Sequence, residues 1–136
     1  MRTVKFPAQF QFLDKIRDFV GEVARKGGFS EKDVYSIQLA TDEAASNVIE
    51  HAYHGATNGQ LEIRVDVNDE TITIILHDTG IPFDTSAVRQ PNLKADLGRR
   101  QVGGLGIYLM RKLMDEVRYE ILEKGGNLLT LIKRRE

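Results

Sequence analysis

Residues 41–55 read Thr-Asp-Glu-Ala-Ala-Ser-Asn-Val-Ile-Glu-His-Ala-Tyr-His-Gly. If this stretch is helical, Glu43 and Asn47 lie four residues apart on one face. At about 100° per residue, Val34, Ile37, Thr41, Ala45, Val48 and Ala52 fall in one sector, and Ser36, Glu43, Asn47, Glu50 and His54 fall opposite. Such a helix buries one side and offers a carboxylate and a carboxamide on the other. That face is either the floor of a site or an ordinary wet surface, and the rest of the chain has to decide between them.

The helix has a start signal upstream. In Ser30-Glu31-Lys32-Asp33 the serine can cap, and the acids sit in the first turn, where the helix dipole favours them. The spacing predicts a helix from there to about Tyr53, followed by Gly55. Before it, residues 3–7 form a short edge strand ended by Pro7. Residues 9–26 carry Phe12, Leu13, Ile16, Phe19, Val20, Val23 and Ala24 at spacings of three and four, which predicts an amphipathic helix stopped by Gly27-Gly28.

Downstream, residues 56–60 read as a loop. Residues 61–67 alternate apolar and polar, as a strand with one wet face does. A turn at Asn68-Asp69-Glu70 leads into a more apolar strand over 71–77, and the short link makes the pair an antiparallel hairpin. That strand runs into Asp78-Thr79-Gly80-Ile81-Pro82-Phe83-Asp84. A long polar stretch over 85–102 follows, and Gly103-Gly104-Leu105-Gly106 opens a third helix with Ile107, Met110, Leu113 and Met114 on its buried face. Strands over 117–122 and 128–133, joined by a Glu-Lys-Gly-Gly-Asn hairpin, complete the chain.

Composition narrows the function classes. The 136 residues suit one domain, read as residues 1–136, with enough length for a hydrophobic core. A net charge of −1 gives no basic footprint for nucleic acid. No run is long and apolar enough to span a membrane, and the N-terminus lacks a signal peptide's apolar core, so the expected location is the cytoplasm. There is no cysteine, hence no disulfide framework and no thiol nucleophile. His51, His54 and His77 are too poorly spaced for a metal cage.

Taken one at a time, Glu43-x-x-x-Asn47, Asp78-Thr79-Gly80 and Gly103-Gly104-Leu105-Gly106 are a wet helix face, a turn and a loop-to-helix junction. Their order and spacing are more informative. With them the chain resembles the gyrase/Hsp90/histidine kinase/MutL (GHKL) superfamily of ATPases. More narrowly, it is similar to the bacterial anti-sigma-factor serine-protein kinases. Four stretches carry that likeness: Asp42-Glu43-x-x-x-Asn47 with His51-Ala52-Tyr53, Asp78-x-Gly80-x-Pro82 with Phe83-Asp84, Gly-Gly-Leu-Gly-Ile-Tyr-Leu-Met at 103–110, and Met114-Asp115-Glu116-Val117.

The resemblance implies a two-layer α/β sandwich of the Bergerat type, a mixed and largely antiparallel sheet with its helices on one face. It implies ATP and Mg²⁺ as ligands. Asn47 would bind Mg²⁺ through its carbonyl oxygen, and Glu43 would be the general base that takes the proton of an attacking protein hydroxyl. Asp78 would accept a hydrogen bond from the adenine amino group, with Gly80 letting the backbone pass close to the base. Gly103, Gly104 and Gly106 would meet the phosphates, with Leu105 between them. Thr130 matches a position near adenine. Lys94, Arg99 and Arg100 are candidates to neutralise γ-phosphate charge, Arg100 first because it lies closest to the glycine box. His51 reads as a packing or supporting residue.

The implied activity is a serine/threonine-protein kinase that also acts as an anti-sigma factor. Its implied partners are an anti-anti-sigma (STAS-type) protein as substrate and a sigma factor, with a homodimer as the assembly. Two alternatives stand beside it: an ATP-binding partner-switch module without kinase activity, and the catalytic domain of a two-component histidine kinase. The second is disfavoured because Pro82 stands where those enzymes usually have glycine.

Overall fold

Strand alternation sets the two faces of the sheet. The computed structural model describes residues 1–53, 59–81 and 104–135, with residues 104–107 as backbone only. In β2 (Gln60–Val67), Leu61, Ile63 and Val65 are buried while Glu62, Arg64 and Asp66 turn away. In β3 (Thr71–Asp78), Ile72, Ile74 and Leu76 are buried, and the same period carries Asp78 inward as the last residue of the strand. β5 (Asn127–Arg134) buries Asn127, Leu129 and Leu131. β1 (Arg2–Pro7) and β4 (Glu116–Ile121) are the edges, in the order β1-β2-β3-β5-β4.

Among the described residues every neighbouring pair of strands is antiparallel, in keeping with the largely antiparallel sheet expected. The connection after β3 includes a helix and then β4. The β4–β5 hairpin folds back, so β5 lies beside β3 running the opposite way.

The helices supply the other layer. A 3-10 turn over Phe10–Phe12 precedes α1 (Leu13–Lys26), so the expected helix over 9–26 begins four residues late. Gly28, at φ +86°, takes the left-handed conformation that ends the connection. Ser30 caps α2 (Glu31–Asn47) as anticipated, its Oγ accepting from the Asp33 N–H at 3.1 Å. Helix α3 spans Gly104–Leu113.

α2 packs between α1 and α3 and also over the sheet. All six residues of its expected apolar stripe are buried, and so are Ala40, Ala44 and Ile49. A helix covered on three sides buries a wider sector than an amphipathic surface helix. Thr41 fits there because its hydroxyl donates to the Ile37 carbonyl at 2.7 Å. Among the described residues, no helix is long and apolar enough to cross a membrane.

Candidate functional site

The end of α2 departs from the expected α-helix. After Asn47 the chain makes one π-helical turn, Val48–Ala52. π turns inside helices recur at functional sites because the extra residue frees backbone groups for other partners. Here the Ala52 carbonyl accepts from the Ile81 N–H at 2.8 Å. The end of α2 is thereby tied to the turn that follows β3.

Gly80 is at the contact. A Cβ on it would lie 2.3 Å from the Ala52 carbonyl oxygen, which no side chain tolerates. The glycine of Asp78-Thr79-Gly80 is therefore explained by a close approach of two backbones.

Asp78 is 4% exposed at the end of β3. Its Oδ1 accepts from the Gly80 N–H at 2.9 Å and from Asn127 Nδ2 at 2.8 Å. Asn127 Nδ2 also donates to the Gly80 carbonyl at 3.1 Å. With Oδ1 engaged by both donors, Oδ2 is the oxygen left for a ligand. Burial raises the Asp78 pKa above the ordinary carboxylate value, against the lowering effect of those hydrogen bonds.

Asn47 and Asp78 line one recess of about 20 Å³, together with His51, Ala52, Ile81, Tyr119 and Leu129. Asn47 makes no side-chain hydrogen bond among the described residues, and its Nδ2 is buried without a partner. A carboxamide with a buried, unpartnered N–H group has hydrogen-bonding capacity to spare. Its oxygen is a hard donor that suits Mg²⁺. Among the described residues no cluster of three or more His, Asp or Glu could hold a metal ion. Mg²⁺ commonly takes only one or two protein ligands and completes its shell with water and phosphate oxygens. A single amide oxygen beside an anionic ligand meets that requirement.

Glu43 is half-buried one turn before Asn47 and is not among the residues lining the recess. Its neighbour Asp42 joins α2 to α1 through Arg17 Nη1 at 3.1 Å. Burial raises the Asp42 pKa, with Arg17 opposing.

A second and larger cavity, about 840 Å³, meets the same turn from the outer face of the sheet, where Lys5, Glu62 and His77 line it. Asp78 lines both cavities, whereas Asn47 lines the smaller recess and not this one, and the burial pattern of β3 turns Asp78 to the helix side. The candidate site is therefore the helix-side recess.

Thr130 is a correction. It pairs with Ile75 in β3 and with Arg118 in β4, the rows that face away from the helices. Strand parity thus places it on the opposite face from Asp78. The β5 residue that reaches Asp78 is Asn127, its direct cross-strand partner, which the sequence reading passed over.

His51 lines the recess beside Asn47, with Nε2 3.9 Å from Glu50. His77 lies on the outer face. Gly104, Leu105 and Gly106 form the first turn of α3. Lys94, Arg99, Arg100, Gly103 and His54 lie outside the described residues.

Fold and site together define a class. A family model described as Histidine kinase-like ATPase domain matches residues 6–133, and the chain belongs to that family. Within it, the chain is similar to Serine-protein kinase RsbW of Bacillus subtilis (strain 168), 34% identical over 123 residues that cover 86% of this chain and 76% of that protein. It is 27% identical over 120 residues to Serine-protein kinase RsbW of Listeria monocytogenes serovar 1/2a, covering 85% of this chain and 76% of the relative.

Two solved structures share the fold. One holds the RsbU and RsbW domains of Rv1364c from Mycobacterium tuberculosis, with a TM-score of 0.65 at 18% identity. That alignment covers 99% of this chain, which spans only 33% of the other. The other is the nucleotide-free catalytic domain of histidine kinase ThkA, with a TM-score of 0.57 at 15% identity over 99% of this chain and 98% of that one.

Proposed function

We propose that this chain is an ATP-dependent serine/threonine-protein kinase that acts as an anti-sigma factor by phosphorylating an anti-anti-sigma protein. The observation that carries the reading is the pairing of Asn47 and Asp78 at one recess, in a chain similar over most of its length to serine-protein kinases. The two residues present different chemistry. Asp78 offers a buried acceptor oxygen for the amino group of a base, and Asn47 offers a carboxamide oxygen for a hard cation.

In this reading Asp78 Oδ2 accepts from the adenine amino group, while Gly80 N–H and Asn127 hold Oδ1. Asn47 holds Mg²⁺, whose positive charge would offset that of the phosphates during transfer. The backbone of Gly103, Gly104 and Gly106, with Leu105 between them, meets the phosphates at the start of α3, where amide groups and the helix dipole favour an anion. Arg100 adds positive charge at the γ-phosphate. Glu43 accepts the proton of the serine or threonine hydroxyl as its oxygen forms the new bond to phosphorus and the bond to ADP breaks.

The remaining features belong to the same reading. The phosphate acceptor is a STAS-type anti-anti-sigma protein, the sequestered partner is a sigma factor, the working unit is a homodimer of one-domain chains, and the location is the cytoplasm.

Incubation with γ-labelled ATP and a purified anti-anti-sigma protein tests it. Label should appear on a serine or threonine of the acceptor. Label on a histidine, or none with ATP bound, would overturn the kinase assignment.

A further inference from the structure

Tyr53 has no part in the chemistry above, yet it joins both ends of the site. It stands at the close of the π turn, six residues beyond Asn47. Its hydroxyl accepts from the Thr79 N–H at 3.0 Å and donates to the Gln60 carbonyl at 2.7 Å. It also meets the Thr79 hydroxyl at 3.4 Å, so the phenol's proton and both of its lone pairs can be engaged. The ring lies against Gly59, where a Cβ would come within 2.6 Å of Tyr53 Cγ and Cδ1. Gly59 is itself held, its carbonyl accepting from the Ala8 N–H at 2.9 Å.

The consequence lies in the turn. Thr79 and Ile81 donate their N–H groups to consecutive residues of the α2 end, to the Tyr53 hydroxyl and the Ala52 carbonyl. Gly80, between them, presses on Ala52. Asp78 immediately precedes this clamp, and Asn47 lies on the same helix end. The clamp therefore fixes the distance from the residue placed at the base to the residue placed at the phosphates.

We infer that Tyr53 is a positioning residue for nucleotide binding, whose hydroxyl holds Asp78 and Asn47 at the separation that lets one nucleotide engage both. This rests on the ATP-site reading above. A ligand that spans two preorganised points gains from their fixed spacing, whereas a ligand touching one point gains little. Loss of the hydroxyl should therefore weaken ATP more than adenosine, which has no phosphate end.

The test is titration calorimetry with ATP and with adenosine on the wild-type chain and on Tyr53→Phe, which keeps the ring on Gly59 and removes the hydroxyl's hydrogen bonds to Thr79 and Gln60. ATP affinity should fall roughly tenfold, as the loss of about two ordinary hydrogen bonds implies, and adenosine affinity by about twofold or less. Gly59→Ala, which displaces the ring and so moves the intact hydroxyl off Thr79 and Gln60, should give the same split. Equal weakening of both ligands, or no change in either, overturns the inference while leaving the ATP site standing. A wild-type chain that binds no ATP overturns the functional reading and this inference with it.

Discussion

Asp78 carries a conflict between stability and binding. Its folded pKa lies above the ordinary carboxylate value, so between the two the folded state holds more protons than the unfolded one. Stability then falls as pH rises through that window, and the loss persists at neutral pH. Asp78→Asn can still accept at Oδ1 and carries no charge to desolvate. The variant should lose that pH slope and be at least as stable as wild type at neutral pH, as melting temperature against pH would report. Its ATP affinity should fall by about 1–3 kcal/mol, because an acceptor beside a donor is lost. Unchanged affinity would remove Asp78 from the base-binding role. The turn at Asp78 was legible from Asp-x-Gly at a strand end, but the hydrogen bond from Asn127 to Asp78 was not. Leu128 and Ile132 are as apolar as Leu129 and Leu131, so the sequence alone does not tell which parity of β5 faces inward. Only the pairing of Asn127 with Asp78 settles it.

At the scale of elements, α2 was legible almost whole. Its cap, stripe and polar face follow from local chemistry and a period of 3.6. The π turn was not, because Val48–Ala52 carries the same periodicity as an α-helix. Its cause is tertiary: the Ala52 carbonyl bonds outside the helix, to Ile81. Gly80→Ala tests that coupling. The added methyl would meet the Ala52 carbonyl, force the turn off the helix end and loosen Asp78. We expect a cost of about 1–3 kcal/mol in urea unfolding, in the range of an overpacked site, with ATP affinity lost in parallel. A variant with wild-type stability and affinity would show that the close approach is dispensable.

For the whole molecule, the antiparallel sheet of the described residues carries one buried face, and the helices cover it. Leu76 is at the centre of that core with no exposure, so Leu76→Ala should cost about 2–5 kcal/mol in equilibrium unfolding. A loss under 1 kcal/mol, the size of a surface effect, would contradict the placement of β3. Strand alternation and helix period made this layer arrangement readable, and the order of the three motifs made the family readable. The antiparallel return of β5 was not readable, since local patterns do not fix which strands pair across a long connection. Removal of divalent cations with a chelator should abolish phosphotransfer and weaken ATP binding. Transfer that persists in chelator would exclude the Mg²⁺ role given to Asn47.

Glu43 is where a kinase and a passive nucleotide-dependent switch part company. The most direct measurement is a paired assay on Glu43→Ala: ATP affinity by calorimetry, and transfer of γ-label to the anti-anti-sigma protein. With Glu43 as the general base, ATP affinity should stay within about twofold of wild type, because the base acts on the acceptor hydroxyl rather than on bound ATP, and transfer should fall by about 100-fold or more. Transfer at the wild-type rate by Glu43→Ala would contradict that role.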